Sequence, residues 1–120
     1  MDKVTVWRIA GVMGALGVLL GAFGAHGLKS VVTDPHLLDV WDTGARYHLI
    51  HAVAIATCAN HPRPTAPVAL FVAGTALFAG SLYALALTDV RVLGAVTPFG
   101  GLCFIAGWVA LAATAHREPS

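Results

Sequence analysis

The sequence predicts an all-α fold, a four-transmembrane-helix antiparallel bundle, and three observations carry that expectation. Of 120 residues, 58% are hydrophobic and only 11% charged, and the mean hydropathy is +0.78. A soluble domain keeps roughly a quarter of its residues charged to hold its surface in water, so the solvent of this chain is largely lipid. Four apolar windows come near the roughly 20 residues that a helix needs to cross a bilayer core about 30 Å thick. A spanning segment has to satisfy its own backbone hydrogen bonds, which makes each window a helix. The links at 29–40, 60–65 and 88–92 are short, which sets neighbouring helices antiparallel and leaves no room for a second domain. Residues 1–120 therefore read as a single integral membrane domain.

The first helix is expected over about 6–27, "VWRIAGVMGALGVLLGAFGAHG". Lys3 and Arg8 before an apolar run resemble a signal peptide, but the run exceeds the usual apolar region of one. It is read as a retained span. Gly14, Gly17, Gly21 and Gly24 follow 3-4-3 spacing on one face, and a missing side chain lets another backbone come close, which drives association in lipid. The second helix, about 41–59, carries Trp41, Gly44, His48, His51, Ile55 and Cys58 in a 3-4-3-4-3 repeat that places them on one face. The third, about 66–87, offers a matching small-residue stripe of Ala69, Ala73, Ala76, Gly80 and Ala84. Gly14, Gly17, Gly21 and Gly24, with Ala73, Ala76 and Gly80, are the residues expected to pack the bundle, a homo-oligomer or a larger membrane complex. The fourth helix starts at 93 or 98 and ends near 115. Proline is tolerated at a first helical position, which favours Thr97 as the N-cap and Pro98 as the first residue.

Lysine and arginine set orientation. With four spans, Lys3, Arg8, Arg63 and Arg117 share one side, whereas Lys29, Arg91 and Arg46 lie on the other with Asp34, Asp39, Asp42 and Asp89. This places both termini of the multi-pass chain on the cytoplasmic side. Antiparallel helices then gather most hydrogen-bonding side chains into one leaflet, as a polar pocket of His26, Asp42, Arg46, Tyr47, His48, His51, Ser81, Tyr83 and Thr97. Asp42 precedes Arg46 by four residues, the favourable order for a helical ion pair. Asp39 and Asp42 read as solvating or capping the start of the second helix.

Three functional classes compete for that polar end. The leading one is a hydrogen-bonded network inside a non-enzymatic structural or accessory membrane component. The second is a channel or transporter with a histidine-lined vestibule, since histidine titrates near neutrality. The third is a metal- or haem-binding redox protein, with His26, His48 and His51 as ligand candidates; histidines at i and i+3 can share one metal. No acid–base partner for Ser81, no paired carboxylates and no glycine-rich loop after a strand are found, so the chain is not expected to be an enzyme and no cofactor is expected. The net charge of +1 without a dense basic stretch excludes nucleic acid as a partner. Cys58 and Cys103 lack CxxC spacing and read as small buried hydrophobes.

Four segments together carry a family likeness: "LGAFGAHGL" at 20–28, "WDTGARYHLIHAVAI" at 41–55, "FAGSLYALAL" at 78–87 and "TPFGGLCFIAGWVAL" at 97–111. In this order and spacing, and over nearly the whole chain, they resemble the YgdD-like small membrane proteins, a domain of unknown function. The matching residues include Gly21, Gly24, His26, Gly27, Trp41, Tyr47, His51, Ser81, Tyr83, Pro98, Gly101 and Trp108. The resemblance implies a four-helix inner-membrane protein and no established biochemical activity.

Overall fold

The computed structural model describes residues 1–115, so Arg117 of the orientation count lies outside the described residues. Asp2 opens helix α1 (Lys3–Ala25) by accepting the Thr5 backbone N–H at 2.7 Å. His26 is its C-cap, and Gly27–Ser30 follows as a 3₁₀ turn. Helix α2 (Pro35–Thr57) starts well before Trp41, because Asp34-Pro35 is a complete start signal: the Asp34 carboxylate accepts the His36 N–H at 2.9 Å and proline occupies the first turn. The cap is thus Asp34, and Asp39 and Asp42 lie inside the helix. An apolar-length criterion overlooks such a polar opening.

The third rod runs Thr65–Thr88 as α3 (Thr65–Gly74), a π-helical turn (Thr75–Ala79) and α4 (Gly80–Thr88). It ends at Asp89, whose φ of 53° is left-handed, a conformation that Asp tolerates better than most residues. Arg91–Ala95 forms a 3₁₀ segment ahead of α5 (Thr97–Ala113). Thr97 does not cap α5; it sits in the first turn and turns its hydroxyl to Ser81 Oγ at 2.6 Å.

All described secondary structure is helical. Three rods are long and apolar enough to cross a membrane: Lys3–Ala25, Thr65–Thr88 and Arg91–Ala113. Helix α2 is not among them, because Asp39, Asp42 and Arg46 interrupt its apolar run.

Side-chain pairings run antiparallel throughout. Gly24 of α1 faces Trp41 of α2, Gly17 faces His48 and Leu49, and Gly14 faces Ala52. A Cβ on Gly17 would come within 2.7 Å of Leu49 Cδ2, so these glycines set the helix separation. The Trp41 indole N–H donates to Leu20 O at 2.8 Å across the same seam. Gly44 packs under Tyr83 and Leu82 of α4, and α5 closes on the third rod through Gly100 at Phe78, Phe104 at Gly74, and Gly107 at Phe71. One apolar cluster joins Val6, Ile55, Cys58, Val68, Phe71 and Phe104; a second, toward the other end, joins Leu28, Leu37, Trp41 and Ala86.

The two small-residue stripes do not meet within the bundle. Ala73 and Ala76 are exposed, and Gly21 and Gly80 have no neighbour within 4 Å of where a Cβ would stand. The third rod instead buries Phe71, Gly74, Thr75, Ala79, Leu82 and Ala86. Large rings on this rod enter gaps left by glycines on its neighbours, and the small residues that receive them are Gly44, Gly100 and Gly107. Burying Phe71 rather than Ala73 also recovers more dispersion contact, which is what holds helices together in lipid.

Candidate functional site

The inward face of α2 builds the site. Trp41, Gly44, His48, His51, Ile55 and Cys58 are all buried, and the two histidines tie α2 to each of the other rods. His48 lies between α1 and α4: its Nε2 is 2.9 Å from Met13 O and its Nδ1 2.9 Å from Tyr83 Oη. A carbonyl only accepts, so Nε2 carries the proton and donates to Met13. The bare Nδ1 then accepts from the Tyr83 hydroxyl.

His51 has the opposite tautomer for the same reason. Its Nδ1 is 2.7 Å from Tyr47 O, so Nδ1 holds the proton. Its Nε2 receives the Trp108 indole N–H at 3.1 Å, and an indole nitrogen only donates. The ring stacks on Phe104, with centroids 3.6 Å apart and planes 8° from parallel, and Phe71 and Trp108 flank it at 5.5 and 5.9 Å. The indole N–H thereby holds His51 in its neutral form, and every ring nitrogen of both imidazoles has one partner.

These positions correct the polar pocket expected from sequence, because the nine residues do not share a chamber. His48–Tyr83, His51–Trp108 and Ser81–Thr97 are separate pairs, each stitching two helices. Tyr47 is half exposed and lies over Phe78, with ring centroids 4.8 Å apart. Asp42 and Arg46 pair with each other at 2.7 Å on the outside of the bundle, their side chains about two-thirds exposed. His26 is exposed at the end of α1. Nor is the histidine pair confined to one leaflet's end: Ala52, beside His51, faces Gly14 near the middle of α1, which puts His51 near mid-depth of its neighbour.

The ligand triad of His26, His48 and His51 is not assembled. Among the described residues no three His, Cys, Asp or Glu side chains come close enough to hold a metal ion. The Nε2 lone pair of His51 is taken by Trp108, and that of His48 Nδ1 by Tyr83. Cys58 is buried and its thiol points to Ala54 O at 3.3 Å. Sequence reasoning missed Trp108, Phe104 and Phe71 as members of the site. The available signal was Trp108 itself, since an indole N–H deep in an apolar helix needs an acceptor.

Rods of membrane-crossing length, closed around polar pairs that are satisfied internally, define a small helical membrane protein. The chain belongs to the family described as Protein of unknown function (DUF423), whose model matches residues 20–101. It is 40% identical over 118 residues to the UPF0382 membrane protein C1782.12c of Schizosaccharomyces pombe, covering 90% of this chain and 98% of that one. It is 41% identical over 120 residues to the UPF0382 membrane protein YwdK of Bacillus subtilis, covering 93% and 97%. No solved structure matches the chain.

Proposed function

We propose that this protein is a non-enzymatic integral component of the inner membrane, structural or accessory to a larger assembly or to its own oligomer. One observation carries the reading: among the described residues no buried side-chain nitrogen or oxygen lacks a hydrogen-bond partner. The buried histidines, Tyr83 and the buried hydroxyls spend their hydrogen-bonding capacity on each other and on backbone carbonyls, which fixes four helices together. Three of the YgdD-like segments lie wholly inside the matched residues 20–101 and the fourth begins there, which supports treating the two descriptions as one family. With His48 and His51 reconstituted in liposomes as part of the intact chain, proton and ion flux is expected to equal that of protein-free vesicles. Flux above that level, lost on His48→Ala while the melting profile stays unchanged, would replace this reading with a transporter.

All four helices cross the bilayer in this proposal, with both termini cytoplasmic and the whole chain forming one domain. Support comes from α2 lying alongside the spanning helix α1 from Trp41 to Ala52, which fixes it at the same depths. Its charges cluster toward one end, where Arg46 can reach the interface along its stem. Among described residues Lys3, Arg8 and Arg63 fall on the terminal side. Ser30→Cys and Asn60→Cys, each in a background without Cys58 and Cys103, are expected to label with an impermeant maleimide from opposite sides. Labelling from one side only would mean that α2 does not cross.

A further inference from the structure

The seam between α1 and α2 has an outer face that no other helix covers. On α1 the spacing 3-4-3 brings Gly11, Gly14, Val18 and Gly21 along this face, and on α2 Ala45, Leu49 and Ala52 line the opposite wall. Two recesses follow one another down it. The upper, of about 220 Å³, is bounded by Gly21 and Trp41 and carries Lys29, Asp39 and Asp42. The lower, of about 370 Å³, is apolar and reaches past Gly11, Gly14, Ala52 and Val53.

Charge decides what fits the upper recess. Among the described residues the ion pairs are Asp42–Arg46 and Asp89–Arg91; Lys29 and Asp39 face the same recess without joining. A cation and an anion held apart in one hollow match a zwitterion rather than a simple anion or cation. Carboxylates also favour a primary ammonium, which offers three N–H donors, over a quaternary one, which offers none. The depth of the seam fixes the rest of the ligand. Gly21 and Gly11 are ten residues apart, about 15 Å of helix rise and therefore about one leaflet of a 30 Å hydrocarbon core.

We propose that this seam binds one aminophospholipid, its phosphate at Lys29, its ammonium at Asp39, and an acyl chain along Gly11, Gly14 and Ala52. The site needs no chemistry from the histidines, so it stands or falls independently of the non-enzymatic reading. The two open glycines make the test clean. A Cβ at Gly11 or Gly21 meets nothing within 4 Å, so a larger side chain there grows into the open groove.

The test uses delipidated protein in dodecyl maltoside, with dioleoyl phosphatidylethanolamine, phosphatidylcholine or phosphatidylglycerol added, read by native mass spectrometry and by melting. Phosphatidylethanolamine is expected to bind one per chain, about tenfold more tightly than phosphatidylcholine, the worth of one charge-assisted hydrogen bond. Asp39→Ala should remove that preference, Lys29→Ala should weaken all three lipids alike, and Gly11→Leu and Gly21→Leu should reduce binding of every lipid, all with lipid-free melting unchanged. Equal binding of the three lipids, or binding unaffected by the leucines, overturns the proposal. A dimer that Gly21→Leu dissociates also overturns it, and assigns the seam to a second copy of the chain.

Discussion

Gly100→Ala is expected to lower stability by about 3 kcal/mol, the upper range for forcing an extra carbon into a close-packed core. At Gly100 α5 crosses the π-helical turn so closely that an added Cβ would overlap the Phe78 backbone nitrogen and lie 2.7 Å from Phe78 Cα. Backbone atoms cannot swing away as a side-chain tip can, so one of the two helices must move. Gly101 is the internal control: on the same helix, its nearest neighbour would be Phe78 Cδ2 at 4.0 Å. Alanine there gains helix propensity, worth up to about 1 kcal/mol, and meets no obstacle. Gly74 and Gly107 fall between, since the close contacts of a Cβ on either are with side-chain ring atoms of Phe104 or Phe71, which can turn aside. The order is read from denaturation midpoints of the four alanine variants in one detergent. Equal midpoints for Gly100→Ala and Gly101→Ala would show that α5 does not seat on the π turn as described.

The same glycines mark where the sequence was legible and where it was not. Apolar length and short links are local properties, and they suffice to indicate the helices and the order in which they turn back. The inward face of α2 was also legible, because its Trp41-to-Cys58 repeat mixes polar and apolar residues and so has a detectable period. The faces of α1 and of the third rod were not. When nearly every residue is apolar, a lipid-facing and a protein-facing stripe look alike, and Ala73 and Ala76 are as plausible inside as Phe71. Small residues then mark close approach only where a large partner fills the gap. Gly44 meets Tyr83 and Gly100 meets Phe78, whereas Gly80 meets nothing.

The candidate site was half legible for a related reason. Counting polar residues found His48, His51, Ser81, Tyr83 and Thr97, all of which make helix-to-helix hydrogen bonds. Treating them as one pocket failed because helix ends were aligned by residue number alone. Asp42 and Arg46 lie on the opposite face of α2 from His48 and His51, a separation that helical periodicity allows but that a list by depth conceals. The Met13 carbonyl was invisible: a backbone acceptor has no sequence signature, and it decides the tautomer of His48.

His51→Ala is expected to cost about 3 kcal/mol, with most of the loss in packing. The imidazole fills the space among Phe71, Phe104 and Trp108, and emptying a buried ring site of this kind costs about 3–5 kcal/mol for the larger aromatics. Its removal also leaves the Trp108 N–H without an acceptor. His51→Phe separates the two effects: it restores a ring on Phe104 but offers Trp108 no lone pair. It should therefore lose only about 1 kcal/mol, the scale of hydrogen bonds inside membrane proteins. Trp108→Phe should cost less in the His51→Phe background than in the wild type, because the bond that it removes is already gone, and a double-mutant cycle measures that coupling directly. If His51→Ala melted like the wild type, the aromatic cage would not be holding α2 against α5. Protonation gives an independent handle on the same geometry. An imidazolium at His51 would point a second N–H at an indole N–H that can only donate, whereas one at His48 would still find Tyr83 able to accept. His51 is thus the histidine that has to stay neutral for the four helices to remain together, and His48 the one that can change charge without losing a partner.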